Sequence, residues 1–243
     1  MTHRGLVIGY HGCDATVRDK LVTGELQTLK ASANRYDWLG PGIYFFENDA
    51  ARALTFAEAS SAKPEALYTA NPIATPAVVG AVIRVERWLD MTTQEGLNTY
   101  KTTFQEMQKK VDKKEVQGMP TNQRTVENND VVLLRQLDNA VLTKVHSSKK
   151  ELGEPSLQGV RGIFEQGTHL SENSGFRSLS HIQIAIDPSC IHGWFLPVGT
   201  KLLTPQEREV AELWLAEAVE KRREAKRAAG KLQASKSSKG AIT

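Results

Sequence analysis

Six short apolar runs set the limits on what this chain can fold into. Leu6–Tyr10, Gly42–Phe46, Ala77–Val85, Gly159–Glu165, His181–Ile186 and Gly193–Leu196 are each four to nine residues long. That is strand length rather than helix length. They are separated unevenly by segments with helical patterning, and no regular strand–helix–strand alternation runs through the chain. Such an order predicts an α+β fold rather than a doubly wound sheet.

The helical segments carry their own start and stop signals. Asp14 is placed to cap a helix over Ala15–Thr23, with Val17, Leu21 and Val22 on one side and Gly24 ending it. Asn48 or Asp49 caps a second helix, Ala50–Ala62, with Ala53, Leu54, Phe56 and Ala57 expected inward. The middle, Thr92–Lys150, is rich in Lys, Glu and Gln and reads as helical, with a break at Gly118-Met119-Pro120. Its second helix is expected over Asn129–Val145, with Val132, Leu133, Leu137, Val141 and Leu142 in register. Pro205 opens a last amphipathic helix with Val210, Leu213, Trp214 and Val219 on its apolar side.

Composition excludes several classes. No apolar run approaches the ~20 residues that a bilayer span needs, so no membrane association is expected. Gly5–Tyr10 is too short for the core of a signal peptide. Two cysteines, Cys13 and Cys190, make neither a disulfide framework nor a metal quartet. A reducing cytoplasm and no metal are the expectation. The net charge of +3 is unevenly spread: positions 220–243 hold eight basic and two acidic residues, or +6, which leaves −3 for the first 219.

The most specific pattern is Gly9-Tyr10-His11-Gly12-Cys13 at a strand end, followed by Gly40-Pro41-Gly42-Ile43-Tyr44-Phe45. Over Gly9–Ala59 and the strand near His181, this resembles the poly-ADP-ribose polymerase and diphtheria-toxin-like branch of the ADP-ribosyltransferases. The resemblance implies split, strongly bent sheets and NAD as co-substrate. It gives His11 a ribose hydroxyl to hold and lets the backbone at Gly12, with Cys13 beside it, reach the nicotinamide amide. Tyr44 takes the place of an aromatic face for the departing ring, and Phe56 stands one residue from the position of a second. The chemistry is consistent with these residue types, because breaking the nicotinamide–ribose bond builds positive charge on the sugar and demands fixed positions for both halves.

The third motif position is open. Polymerising members of that branch begin the third strand with a catalytic Glu, whereas Ser180–Ile186 contains no carboxylate. Alternation sets His181, Gln183 and Ala185 on one face and the isoleucines on the core side. Gln183 is therefore expected in the cleft, holding a ribose hydroxyl. Glu165 is the substitute carboxylate, with a solvated strand-end charge as the alternative. In the loop Asn34–Trp38, Arg35 is a candidate for the NAD pyrophosphate. Trp38 either stacks or packs.

Residues 1–219 are thus expected to form the catalytic domain, with a helical insertion at about 92–150, and 220–243 a basic helix end and tail. The tail is either a solvated terminus or a contact for RNA or DNA phosphates. Loss of the Glu argues for single transfer over chain elongation. The resemblance extends to the mRNA-modifying toxins of bacterial toxin–antitoxin–chaperone anti-phage systems. It implies an RNA acceptor, an antitoxin partner and, through it, a SecB-like chaperone. Three alternatives are a protein-targeting mono-ADP-ribosyltransferase, a catalytically silent NAD or ADP-ribose binding module, and an RNA 2′-phosphotransferase-like enzyme. The last depends on pocket arginines, for which Arg35 and Arg161 are the candidates.

Overall fold

A computed structural model describes residues 5–64, 69, 71–125 and 128–239. The order of elements is β1 (Gly5–Asp14), α1 (Ala15–Val22), β2 (Ile43–Glu47), α2 (Ala50–Ala62), β3 (Pro76–Val85) and β4 (Trp88–Asp90). There follow α3 (Gln94–Asp112), β5 (Gln123–Thr125), β6 (Asn128–Leu134), α4 (Gln136–Glu151), β7 (Gly159–Phe164), β8 (His181–Ile186), β9 (Ile191–Phe195) and α5 (Pro205–Lys239). The α+β class is as expected. In place of a split pair, seven strands form one sheet in the order β4-β7-β8-β2-β1-β3-β9, and β5–β6 is a separate antiparallel hairpin. The large sheet is mixed: β4–β7 is parallel, while β1–β2, β2–β8 and β7–β8 are antiparallel.

The chain divides into two compact units. The first comprises Met1–Tyr10, Thr28–Arg52 and Gly80–Trp194. Alternation along β2 and β8 gives its sheet two apolar faces. Ile43, Phe45, Ile184 and Ile186 pack with Ala81, Ile83 and Val85 of β3 on one face. On the other, Val160, Phe164 and Ala185 pack with Leu39, Leu89 and the α4 residues Leu142 and Val145. Within the expected helical insertion, α3 and α4 flank a hairpin, which corrects the expected helix start at Asn129. Residues 128–134 are strand, and the helix begins at Gln136. The side chains of Val132 and Leu133 lie outside the described residues. The α4 N-terminus is capped from a distance, with Asn122 Oδ1 accepting from Leu137 N at 2.9 Å and Asp138 N at 3.3 Å.

The second unit comprises His11–Gln27, Ala53–Val79 and Phe195–Thr243. Asp14 caps α1 as expected, and its buried carboxylate accepts four donors: Thr16 N, Thr16 Oγ1, Ala74 N and Thr75 N. Ala53 and Ala57 face inward, but Leu54 is exposed, against expectation. Along α5 most of the expected apolar side is turned outward: Val210, Leu213 and Trp214 are exposed and Val219 is half-buried, while Ala211 is buried. The helix is held by polar contacts instead. Arg208 forks onto Glu25 at 2.6 and 2.9 Å, and Lys20 pairs with Glu212 at 3.2 Å. The buried Arg222 donates to the carbonyls of Thr69 and Pro64 at 2.9 and 3.0 Å. Helix α5 runs unbroken past position 219, so the expected tail is helical to Lys239. Of its basic side chains, Lys226, Lys231, Lys236 and Lys239 lie outside the description. Among the described residues, no helix is long and apolar enough to cross a membrane.

Candidate functional site

The site is built on the α4-covered face of the first unit. Antiparallel register sets Tyr44 opposite Ala185 and Phe46 opposite Gln183. It also sets Gln183 opposite Gly162 and His181 opposite Phe164. Directly opposed residues share a face, so Tyr44, Phe46, His181, Gln183 and Phe164 line one surface. This is the face that alternation assigns to Gln183. Its amide has no hydrogen-bond partner among the described residues, and it is half-buried.

Tyr44 is more constrained than a stacking surface requires. Its hydroxyl donates to Gly40 O at 2.6 Å and accepts from Leu39 N at 2.9 Å, and its ring packs against the α4-side core. Burial, followed by the nearby Asp37 carboxylate, pushes its pKa up, so the hydroxyl stays a donor. The glycines of the motif have separate reasons. Gly40 has φ +80°, and a Cβ on Gly42 would meet the β8 backbone at Ile186 N, 2.9 Å away. The turn therefore packs tightly onto β8 and delivers Tyr44 to the next row.

The loop before it is equally well anchored. Asn139 of α4 donates to the carbonyls of Asn34 and Asp37 at 3.2 and 3.0 Å. Trp38 is set against Phe164, with ring centroids 4.5 Å apart, which is the packing alternative for that residue. Arg35 is exposed on the same loop and makes no side-chain hydrogen bond or ion pair among the described residues.

Three residues that the sequence did not single out join this surface. His181 lies between Phe46 (4.9 Å) and Phe164 (5.7 Å). The Arg135 guanidinium sits 4.9 Å over Trp38 and 4.8 Å over Phe164, and Arg52 sits 4.9 Å over Phe46. Arg52 also ties down the β7–β8 loop, donating to Gln166 Oε1 at 2.9 Å and Leu179 O at 3.4 Å. His181 Nδ1 bonds Leu179 O at 2.8 Å, while its Nε2 is buried without a partner. Burial, reinforced by the charges of Arg52 and Arg135, pushes the imidazole down to about 4. His181 is therefore neutral near pH 7, and with Nδ1–H donating, Nε2 is a bare acceptor. The available signals were its strand phase with Gln183 and the place of Arg52 one turn into the helix after the Tyr-Phe-Phe run. Arg135 had none.

Glu165 does not join them. It follows β7 in the phase of Arg161 and Ile163, opposite to Gly162 and Phe164, and is exposed without a bond among the described residues. Arg161 is also on the opposite face, reaching across Ile184 to fork onto Glu47 at 2.6 and 2.8 Å and onto Asp90 at 3.2 Å. Burial raises the Asp90 carboxyl, but hydrogen bonds from Thr92 and Arg161 outweigh it and hold the group below its ordinary value.

In the second unit, His11 is a half-buried β1 residue and Phe56 a half-buried α2 residue. A Cβ on Gly12 would run into the Ala53 carbonyl oxygen and lie 3.2 Å from Ala57 Cβ. Gly12 therefore answers a packing need of α2, whatever else its backbone does. The Cys13 thiol is buried and pushed up to about 12, so only its backbone is available to a ligand. No group of three or more His, Cys, Asp or Glu suited to a metal occurs among the described residues.

The α4-covered face of the first unit thus combines buried aromatic rings, two cations set over them and the half-buried Gln183 amide, which has no hydrogen bond among the described residues. Comparison with protein-family models, with curated proteins and with solved structures finds no match to this chain.

Proposed function

We propose that the chain is an NAD-dependent mono-ADP-ribosyltransferase. One observation carries this reading: the strands bearing His11, Tyr44 and Gln183 are consecutive neighbours in the sheet, in the order β8-β2-β1. In this reading Tyr44 presents a ring face to nicotinamide, and His11 and Gln183 hold ribose hydroxyls. The nicotinamide–ribose bond breaks with its electron pair leaving on nicotinamide. The acceptor nucleophile then bonds the anomeric carbon and gives up a proton. The resemblance supplies the finer expectation of a toxin acting on RNA, perhaps at an mRNA adenine. The basic residues of 221–239 support a polyanionic acceptor by attraction to phosphates. An antitoxin and its chaperone are partners within that expectation.

A second reading is favoured by the phase of Glu165: with no carboxylate in register beside Gln183, the chain is an NAD or ADP-ribose binding module without turnover. The 2′-phosphotransferase reading loses Arg161, which is committed to Glu47 and Asp90. Release of nicotinamide from NAD, with and without added RNA, separates transfer from silent binding, because a silent module releases none. Labelled NAD in total cell extract, digested separately with nuclease and protease, identifies the acceptor. Label surviving nuclease but not protease would overturn the nucleic-acid acceptor.

A further inference from the structure

We infer that the outward side of α5 is the contact between two copies of this chain, which pair through it antiparallel. The contacts of α5 within its own unit fix which side faces out. Ala211 and Arg222 are buried, and Arg208 and Glu212 reach Glu25 and Lys20. Val210, Leu213 and Trp214 lie on the opposite side at i, i+3 and i+4, a spacing that sets them in one ridge. They are 43%, 61% and 54% exposed. A helix that only had to dock on its own domain would turn such a stripe inward. Exposed apolar side chains gathered in one place mark a contact surface, and a tryptophan among them is a common anchor of one.

The distribution of charge along α5 decides what covers the ridge. From Pro205 to Glu220 the helix holds five acidic residues and one basic, or −4. From Lys221 to Lys239 it holds eight basic and one acidic, or +7. Two such helices side by side in parallel would set acidic half on acidic half and basic on basic. Turned antiparallel, each acidic half meets the other copy's basic half, and a two-fold axis satisfies both at once. The helix is thus complementary to itself. Glu217 and Lys221, both exposed, continue the row of the ridge from the acidic half into the basic one. Size agrees as well. Three side chains fall short of the roughly 800 Å² per partner that a stable interface buries. A 35-residue helix rises about 50 Å and provides a stripe long enough to make up the difference.

The inference is independent of the transferase reading, since its test involves no NAD and none of the residues assigned to the site. The test is sedimentation velocity of the full chain over a concentration series, at low and at high salt. A reversible dimer is expected at low salt, weakening as salt screens the paired halves. Leu213→Glu combined with Trp214→Glu should raise the dimer dissociation constant about a hundredfold, the loss of an apolar anchor. The circular dichroism spectrum should not change, because both side chains lie outside the core. Direction is read by energy transfer between labels on Gln206→Cys and Arg227→Cys, the native Cys13 and Cys190 being buried. Transfer should be stronger from position 206 of one copy to 227 of the other than between two copies labelled at 206. A chain that stays monomeric at every concentration, or a dimer indifferent to the double substitution, would overturn the second copy as the occupant. Stronger transfer between like positions would overturn the antiparallel arrangement.

Discussion

The two faces of the β2–β8–β7 sheet handle their polar groups in opposite ways. On the β3 side, Arg161 meets two carboxylates, Glu47 and Asp90, at 2.6 and 3.2 Å. On the α4 side, Arg52 donates to the β7–β8 loop and Arg135 pairs with Asp138, but the Gln183 amide has no hydrogen bond among the described residues and His181 Nε2 is buried without a partner. A face that only had to be stable would resemble the first. Incomplete satisfaction of Gln183 and His181 on the second is the feature that the proposed function draws on.

The largest expected effect comes from Tyr44→Ala. It removes the ring from the α4-side core together with the hydroxyl that closes the Leu39–Gly40 turn, and should abolish nicotinamide release and lower stability by about 3 kcal/mol. A stacking face alone would cost the fold little, but the two hydrogen bonds at 2.6 and 2.9 Å give Tyr44 a structural share as well. Tyr44→Phe separates the roles. It should lose about 1–2 kcal/mol in urea melts while turnover stays within a few-fold of wild type. Loss of turnover in Tyr44→Phe would make the hydroxyl itself a reactant.

Arg161→Met tests the opposite face. Leaving Glu47 and Asp90 half-buried without their cation should cost about 3 kcal/mol of stability, with nicotinamide release unchanged in the folded fraction. A fall in turnover at full occupancy of the fold would mean that the two faces are coupled. Gln183→Ala should then slow turnover by the equivalent of about 1–2 kcal/mol. Glu165→Gln should leave the rate unaltered. A loss of ~10²-fold on that change would restore Glu165 as the base or cation stabiliser.

The smallest effect is a pH dependence. His181 ordinarily titrates near 6.5 and here near 4, so between these values the unfolded chain binds more protons than the folded one. Stability from this group is therefore complete above about pH 6.5 and is lost as the pH falls through 4. Urea melts at pH 7 and pH 5 should show a drop in the wild type that is smaller in His181→Phe. Equal drops would assign the acid sensitivity elsewhere, with His146, also lowered by burial, as the next candidate.

Local signals were legible where neighbours in sequence decide the outcome. Asp14 before Ala15 caps α1 because a carboxylate two residues from an exposed N–H can hardly avoid it. The strand phase of β8 follows from His-Ile-Gln-Ile-Ala-Ile alone, since a pleated backbone alternates its side chains. The segment 128–134 was misread as helix because its apolar residues meet both periods, and only pairing with β5 chooses between them. The outward turn of Val210, Leu213 and Trp214 was equally hidden. Sequence shows that α5 has an apolar side, but Glu25, Lys20 and the Thr69 carbonyl, elsewhere in the second unit, decide which side is docked.

The sequence by itself determined the α+β class, most of the strand and helix positions, the phase of Gln183 and the adjacency-ready motifs around His11 and Tyr44. Tertiary structure alone decided that Arg52, Arg135 and His181 share one aromatic surface and that Glu165 does not face it. The physical reason is range: a cap or an alternating strand is settled over a few residues, whereas the Arg135 guanidinium, 97 positions from Trp38 in the chain, meets that ring only when the sheet and α4 are both in place.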